Sequence, residues 1–372
     1  MTKSATEHAG VGPSPNPGVL RIDPYEMGAA TIGGQPAAMK LSANESPFGP
    51  APAVLEAMRQ ALERVHRYPD GSQSALREAI AEVHQLDPSL IVCGNGSEDL
   101  IGVLIRAYVA PGDELLLSEN HFVMCRIYGL ALGADVVTAP ERDFVMDVDA
   151  LLARVGPSTR MVVLANPNNP TGTYLPADEV RRLLDNLPEA VMLLLDGAYA
   201  EYVTKTDFDA GASLVESRRN VVMTRTFSKI YGLAGLRVGW AYCPPSVIDA
   251  IQRVRAPFST NAVAAAAAAA AVQDQAHVAA VRRHTADWQT RIRDELQPLG
   301  LTVVPSVTNF YLMLFDGCGD KTAAGAAAAL EASGIAPRPA DPSGADDALR
   351  ITVGTDEENE AVLETLHAYM GE

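Results

Sequence analysis

The chain has 372 residues, of which 48% are hydrophobic and 20% charged, and its formal net charge is −17. This charge argues against nucleic-acid partners and against an anionic membrane surface, because both require a basic face. The four cysteines form no C-x-x-C pair, so we expect no metal site and no disulfide framework.

The beginning of the chain gives no targeting signal. The first eight residues, Met-Thr-Lys-Ser-Ala-Thr-Glu-His, contain no apolar segment of the kind found in secretory leaders. The alanines at 264–271 are too few and too weakly hydrophobic to span a membrane. We therefore expect a cytoplasmic protein.

The N-terminal region is rich in proline and glycine, as in Gly12-Pro-Ser-Pro-Asn-Pro-Gly18. This composition predicts an extended arm, which we assign to residues 1–45 and expect to join a smaller domain. Helical spacing follows near 51–65 and 73–84, with a turn at Tyr68-Pro-Asp-Gly71 between them.

Short apolar runs bounded by turn residues alternate with helical stretches in the next part of the chain. Such runs predict strands that are buried on both faces of a mostly parallel sheet, in a doubly wound α/β fold. We assign this large domain to residues 46–260. The predicted strands are 90–93, 113–118, 161–165, 191–196 and 220–224.

The last third of the chain has a different pattern. From residue 261 to about 296 it is alanine-rich and helical, which predicts a long connector. Short strands near 301–304, 309–314 and 349–353, with two more helices, indicate a smaller α+β domain. The predicted second unit is therefore 261–372.

Polar motifs follow the predicted strands, at the sheet edge where ligands bind in open α/β proteins. Gly94-Asn-Gly-Ser-Glu-Asp99 follows a strand and opens a helix, so its backbone amides and the Ser97 hydroxyl can bind an anion. An ordinary βα turn explains this segment equally well. The segment has no P-loop lysine, so a nucleoside triphosphate is not implied.

Two further motifs end strands. The prolines of Asn166-Pro-Asn-Asn-Pro-Thr-Gly172 restrict the loop that presents Asn169. Asp196 ends an apolar run, with Tyr199 three residues later, and its carboxylate needs a cationic or hydrogen-bonding partner there. A helix N-cap is the structural alternative for Asp196.

Lys229 lies between Ser228 and a glycine-containing turn, eight residues before Arg237. By itself it is indistinguishable from a surface lysine. Ser228 and Arg237, however, offer donors to a phosphate beside an amine that can react with a carbonyl.

Taken together, these motifs resemble the fold-type I aminotransferases, and more closely the histidinol-phosphate aminotransferase subfamily. The resemblance extends from about residue 23 to 359. It includes Lys40-Leu-Ser-Ala-Asn-Glu-Ser-Pro-Phe-Gly49, Arg67-Tyr-Pro-Asp70, Arg225-Thr-Phe-Ser-Lys229 and Leu349-Arg-Ile-Thr-Val-Gly-Thr355.

The resemblance implies a pyridoxal 5'-phosphate enzyme. Lys229 would anchor the cofactor and move the proton, and Asp196 would pair with the pyridine nitrogen. Tyr199 and Asn169 would bind the phenolic oxygen of the cofactor. Phe122 would stack on the ring, although an aromatic residue at this position also suits a core.

The resemblance also assigns the cofactor phosphate. Ser97, the backbone of Glu98, Ser228 and Arg237 would hold it at a helix start. Tyr68 would reach it from the neighbouring subunit, which implies a homodimer with shared active sites.

Substrate binding is implied for Arg350, Arg338, Tyr25 and Asn44. A guanidinium group suits a carboxylate and a phosphate alike. The implied reaction transfers an amino group between L-histidinol phosphate and 2-oxoglutarate in histidine biosynthesis. An aromatic amino-acid aminotransferase and, less closely, a phosphothreonine-type decarboxylase are the alternatives on this scaffold.

The chain departs from the subfamily pattern at two positions. Ser46 stands where the subfamily commonly has asparagine, and Gly197 stands where it commonly has glutamate. Neither residue has an assigned catalytic role. Gly197 adds backbone freedom beside Asp196, which predicts altered packing at that strand end.

Overall fold

The computed structural model describes residues 12–25, 27–340, 343–345 and 347–371. The first eight residues, on which the expectation of no secretory leader depends, lie outside this range. Within the described range, no helix is both long enough and apolar enough to cross a membrane.

Helices and strands alternate along most of the chain. The α-helices are α1 (Pro52–Leu62), α2 (Ser74–His84), α3 (Ser97–Tyr108), α4 (Val123–Leu132), α5 (Val148–Arg154), α6 (Ala177–Asn186), α7 (Ala212–Ser217), α8 (Pro245–Val254), α9 (Ala262–Gln273), α10 (Gln275–Leu296), α11 (Ala323–Ala332) and α12 (Asp356–Met370). The strands are β1 (Thr31–Ile32), β2 (Gln35–Pro36), β3 (Met39–Lys40), β4 (Ile91–Gly94), β5 (Glu114–Ser118), β6 (Asp135–Ala139), β7 (Glu141–Arg142), β8 (Val145–Met146), β9 (Thr159–Ala165), β10 (Met192–Asp196), β11 (Val221–Thr226), β12 (Gly239–Tyr242), β13 (Thr302–Val303), β14 (Phe310–Leu314), β15 (Ile335–Ala336), β16 (Arg338–Ala340) and β17 (Ala348–Thr352).

A seven-stranded sheet forms the centre of the larger region, in the order β4-β12-β11-β10-β9-β5-β6. Strands β6, β5, β9, β10 and β11 run parallel, while β12 is antiparallel to both of its neighbours. The predicted α/β class with a mostly parallel sheet is therefore confirmed.

Both faces of this sheet are covered by apolar cores, as the continuous apolar runs predicted. Along β10, Leu193 and Leu195 belong to one core, whereas Met192 and Leu194 belong to the other. Alternate side chains of a strand point to opposite faces, so each strand contributes to both layers.

Strand register brings the polar ends of three strands together. Asp196 at the end of β10 pairs with Ala165 on β9 and with Thr224 on β11. Because these strands are parallel, the loops that follow them leave from the same edge. The active-site candidates lie along this edge.

Two sequence expectations need correction. Strands β6 and β12 were not predicted, and the expected single connector from 261 to 296 is two helices. The break lies at Asp274, whose side chain accepts a hydrogen bond from the His277 amide at 3.0 Å and caps α10. Helix α9 packs on α1 and α2 through small buried alanines, so it shares the core of the large sheet.

The smaller region contains the antiparallel sheet β13-β14-β17-β16 with α11 and α12 beside it. The arm reaches this region through β3, which pairs in parallel with β15. The boundaries 1–45, 46–260 and 261–372 remain predictions.

Candidate active site

A cavity of about 230 Å³, called the inner cavity below, opens at the carboxyl edge of the large sheet. Loops after β4, β5, β9, β10 and β11 line it, together with Tyr25, Gly28 and residues 42–44 of the arm and one residue of β17. It brings together twelve of the predicted site residues: Tyr25, Asn44, Ser97, Glu98, Phe122, Asn169, Asp196, Tyr199, Ser228, Lys229, Arg237 and Arg350.

Lys229 lies in the turn after β11 and is partly buried. Its Nζ donates to the Ala43 carbonyl at 3.3 Å and lies 5.5 Å from the centre of the Tyr199 ring. Burial, followed by the positive charge of Arg350, lowers the pKa of Lys229 to about 8. Roughly a tenth of the amine is therefore neutral and nucleophilic at pH 7, far more than for an ordinary lysine.

Asp196 is buried at the end of β10. Its Oδ1 accepts from Thr224 Oγ1 at 3.0 Å, and the Ala198 backbone amide also donates to the carboxylate. Burial raises the pKa of Asp196 to about 6, against these hydrogen bonds. A buried carboxylate of this kind is suited to pair with a protonated ring nitrogen.

Ser97, Ser228 and Arg237 form an anion cradle in the wall of the inner cavity. Helix α3 begins at Ser97, directly after Gly96, whose φ is 96°. Arg237 Nη1 donates to Ser228 Oγ at 3.2 Å, and a Cβ on Gly96 would lie 2.8 Å from Arg237 Nη2. The unpaired amides of the helix start, two hydroxyls and a guanidinium group therefore converge. This donor set fits a phosphate.

Strand β17 connects the smaller sheet to the inner cavity through Arg350. Its Nη1 donates to Asn169 Oδ1 at 2.6 Å and its Nη2 to the Ser42 carbonyl at 3.0 Å. Asn44 Nδ2 donates to the Tyr199 hydroxyl at 2.9 Å. Burial raises the pKa of Tyr199 to about 12, so the hydroxyl keeps its proton and can donate it to a ligand.

A second cavity, called the outer cavity below, has a volume of about 520 Å³ and adjoins the first. The two cavities share Tyr25, Phe122, Asn169 and Arg350. The remaining lining comes from the arm, the start of α4 and β16. Four arginines line the outer cavity, in a chain of net charge −17: Arg21, Arg126, Arg338 and Arg350.

Arg338, one of the predicted substrate residues, lies with its guanidinium carbon 5.8 Å from the centre of the Tyr25 ring. The pair forms one side of the outer cavity. A local cluster of arginines makes the outer cavity a site for anions whatever the overall charge of the chain.

Tyr68 is the predicted site residue that the structure does not bring to either cavity of the same chain. Its side chain is 82% exposed and stacks on Phe258, with ring centres 4.7 Å apart. Its expected role from a neighbouring subunit remains a prediction.

Several residues of the site escaped the sequence analysis. Thr224 donates a hydrogen bond to Asp196. It is the last residue of the predicted strand 220–224, and this position at a strand end is the one feature of the sequence that could have indicated a place in the site. Arg21, Arg126 and His121 line the outer cavity, but isolated arginines and histidines carry no local motif. The carbonyl of Ala43 has no signature in the sequence at all.

The structure explains the departure at Gly197. A Cβ there would lie 3.0 Å from Arg225 Cδ and 3.2 Å from the Thr224 carbonyl. Arg225 forms a buried ion pair with Glu201, with Nη2 and Oε1 2.9 Å apart. A larger residue at 197 would press on this ion pair, so glycine suits the packing here.

The fold and the site define a class of protein. A mostly parallel sheet carries a reactive lysine, a strand-end aspartate and an anion cradle in one cavity, as in the fold-type I aminotransferases. The family model of aminotransferase class I and II matches residues 36–366, and the chain belongs to this family.

Relatives and solved structures agree. The chain is 48% identical to histidinol-phosphate aminotransferase of Rhodopseudomonas palustris strain BisA53, over 97% of this chain and 99% of the relative. It is 46% identical to that of Nitrobacter hamburgensis, with 97% and 99% covered. The Sinorhizobium meliloti enzyme, solved in complex with pyridoxal-5'-phosphate, superposes with a TM-score of 0.84 at 33% identity, covering 91% of this chain and 92% of that chain.

These comparisons confirm three expectations: the fold-type I fold, the pyridoxal-phosphate-dependent aminotransferase class, and the resemblance to histidinol-phosphate aminotransferases. The roles of the individual site residues remain predictions.

Proposed function

We propose that this chain transfers an amino group between L-histidinol phosphate and 2-oxoglutarate, giving imidazole acetol phosphate and glutamate in cytoplasmic histidine biosynthesis. The observation that carries the proposal is the arginine-lined outer cavity, which opens directly onto the cavity of Lys229. One phosphate and two carboxylates occur in this substrate pair, and guanidinium groups bind both kinds of anion. The names of the relatives support the same reaction.

The inner cavity is suited to hold pyridoxal 5'-phosphate. The phosphate would lie on Ser97, the Glu98 amide, Ser228 and Arg237, and Phe122 would cover one face of the ring. When bound, the cofactor supplies a carbonyl that condenses with amines and a ring that withdraws electrons from the substrate carbon.

Three side chains of the inner cavity would set the electronic state of the ring. Asp196 would accept a hydrogen bond from the protonated ring nitrogen, which would satisfy its carboxylate. Tyr199 and Asn169 would bind the phenolic oxygen of the ring. The Tyr199 hydroxyl is oriented for this because it already accepts from Asn44.

Lys229 would transfer the proton of the substrate carbon. Its Nζ would take the proton from the substrate carbon that bears the amino group, and would later return it. A pKa of about 8 matches this task, since the group must both accept and release a proton near neutral pH.

Arg350, Arg338, Tyr25 and Asn44 would bind the substrate. Arg350 is held by Asn169 and Ser42, while its Nε, which is buried, has no hydrogen-bond partner among the described residues. An incoming phosphate or carboxylate oxygen would satisfy that donor.

We also propose a homodimer with shared sites. Leu55, Leu62, Val65, Tyr68 and Phe258 are large, exposed hydrophobic residues on and near α1. A second copy covering them would bring Tyr68 to the phosphate of its partner. Sedimentation should give a dimer, and a Tyr68→Phe variant should bind the cofactor more weakly with an unchanged mass. A monomeric, fully active enzyme would contradict this proposal.

The proposed reaction is tested with purified enzyme and glutamate as amino donor. Imidazole acetol phosphate and phenylpyruvate are compared as amino acceptors, and phosphothreonine, which is itself an amine, is supplied in a separate reaction without glutamate, while the cofactor spectrum is followed in each. We expect the highest kcat/KM with imidazole acetol phosphate. A preference for phenylpyruvate would indicate an aromatic amino-acid aminotransferase instead, and release of carbon dioxide from phosphothreonine would indicate a decarboxylase.

A further inference from the structure

His121 lies immediately before Phe122, at the start of α4, and lines the outer cavity. Its Nδ1 is 2.8 Å from the Ser118 carbonyl oxygen and 3.2 Å from the Glu119 carbonyl oxygen. A carbonyl oxygen only accepts hydrogen bonds, so Nδ1 must carry a hydrogen. The two backbone contacts therefore determine the tautomer of this ring.

The other ring nitrogen is consequently an acceptor. Burial, together with the positive charge of Arg126, lowers the pKa of His121, so the ring is neutral at pH 7. A neutral ring with a hydrogen on Nδ1 has a lone pair on Nε2. Among the described residues Nε2 has no hydrogen-bond partner.

This acceptor is unusual in its surroundings. Four of the other polar side chains that line the outer cavity are guanidinium groups, which only donate hydrogen bonds and serve anions, and the amide oxygen of Asn169 already accepts from Arg350. Asp23 also lines the cavity, but its side chain is exposed and its carboxylate carries a charge that suits those arginines. His121 thus offers a neutral acceptor on the segment that also carries Phe122.

We propose that Nε2 of His121 accepts a hydrogen bond from a ring N–H of the substrate, and that this bond selects an imidazole substrate over a phenyl one. The inference depends on the proposed function, because it concerns the ring of the same substrate. An imidazole always carries at least one N–H, whereas a phenyl ring has none. A site that hydrogen-bonds a substrate group discriminates strongly against analogues that lack it.

Three variants separate this role from the structural role of the ring. His121→Phe retains an aromatic ring but removes both nitrogens. His121→Asn retains a donor close to the position of Nδ1, so it can still bind the Ser118 carbonyl, but it has no acceptor at the position of Nε2. His121→Gln can place its amide oxygen near the position of Nε2. Asp23→Asn is the control for the neighbouring acceptor.

Two amino donors of equal charge are compared, histidinol phosphate and phenylalaninol phosphate, which has phenyl in place of imidazole. We expect kcat/KM for histidinol phosphate to fall about tenfold in His121→Phe and His121→Asn, with a smaller loss in His121→Gln. Phenylalaninol phosphate should change less than about twofold in all three. Asp23→Asn should leave the ratio of the two substrates unchanged.

A second readout does not depend on turnover. In protein labelled with ¹⁵N at its seven histidines, the His121 Nε2 resonance is assigned from its absence in His121→Phe. It should move on saturation with imidazole acetol phosphate, in the direction of a nitrogen that accepts a hydrogen bond.

The outcomes distinguish the two proposals. If wild type uses histidinol phosphate well but the substrate ratio is the same in the Phe and Asn variants, the role of His121 is overturned and the proposed function stands. An unmoved Nε2 resonance on ligand saturation has the same meaning. If wild type transfers no amino group from histidinol phosphate, the proposed function fails and this inference fails with it.

Discussion

The two adjoining cavities are built in different ways. The inner cavity takes its reactive groups from the ends of neighbouring strands in one sheet, such as Asp196 and Thr224 on β10 and β11. The outer cavity takes its groups from the arm, the start of α4 and β16, which lie far apart in the sequence. The proposed cofactor chemistry thus depends mainly on one edge of a single sheet, whereas substrate choice depends on how separate elements of the chain meet.

Their electrostatics differ as well. In the inner cavity burial shifts three pKa values, those of Lys229 to about 8, Asp196 to about 6 and Tyr199 to about 12. Each shift disfavours the charged form, and at pH 7 the shifts of Lys229 and Asp196 lower the stability of the fold, whereas Tyr199 is neutral in the folded and the unfolded chain alike. The outer cavity instead presents permanently charged guanidinium groups, of which those of Arg21 and Arg126 belong to exposed residues. We therefore expect substitutions in the inner cavity to change kcat and stability, and substitutions among the arginines to change mainly KM.

Removing the side-chain amine of Lys229 should reduce activity more than Asp196→Asn or Arg350→Lys does. Lys229→Ala lacks the amine that takes and returns the proton, so we expect kcat to fall at least about 10⁴-fold. Single-turnover absorbance changes of the cofactor with substrate would measure this. Lys205→Ala, at an exposed lysine, is the matched control and should be near wild type. Substantial turnover without Lys229 would place the proton chemistry elsewhere.

Asp196→Asn should separate activity from stability. We expect kcat to fall on the order of 10³-fold, because the charge that faces the ring nitrogen is lost. Without cofactor, however, the variant should be more stable at pH 7, because the raised pKa of Asp196 relative to 3.8 costs the folded wild type about 3 kcal/mol.

The pH dependence follows from the sign of that shift. Between about pH 4 and 6 the folded wild type binds more protons than the unfolded chain, so its stability falls as pH rises through this window. The advantage of Asp196→Asn should therefore appear over this range and vanish below pH 4. Thermal unfolding of both cofactor-free proteins from pH 3.5 to 7.5 measures it. Parallel curves would contradict the assignment.

Arg350 lines both cavities. We expect Arg350→Lys to reduce activity less than Lys229→Ala or Asp196→Asn does. Lysine keeps the charge but loses the planar fork, so we expect KM to rise about 10- to 100-fold with a smaller change in kcat. Arg253→Lys on exposed α8 is the control. Steady-state kinetics with both substrates would measure it. A fall in kcat at unchanged KM would instead assign Arg350 to the chemical step.

The predicted residues at strand ends lie together in the inner cavity, although their roles remain predictions. Asp196, Lys229 and the segment at Ser97 follow apolar runs, and a parallel sheet places such positions on one edge. The bond from Thr224 to Asp196 could not be predicted, because it depends on which strand is the neighbour of β10. Strand order follows from the packing of the whole chain and not from local spacing.

Other features have no local signal. The link between Asn44 and Tyr199 joins residues 155 positions apart, and the Arg350 bond to Asn169 joins residues 181 positions apart. The break at Asp274 was missed because helix-forming residues lie on both sides of it and the alanine run at 264–271, just before it, shows no apolar periodicity. Strand β12 was missed because its four residues immediately follow the Arg237 loop.

Arg350 also has a consequence for the entropy of binding. A long flexible side chain that becomes ordered only with its ligand weakens affinity, typically by about 0.5–1.5 kcal/mol. Arg350 is already ordered by Asn169 and the Ser42 carbonyl, and its guanidinium carbon lies 5.3 Å from the centre of the Phe310 ring. Its side-chain rotamers are already restricted in the folded chain. Binding of an anion therefore costs little further side-chain entropy at Arg350. Folding, not substrate, supplies that order.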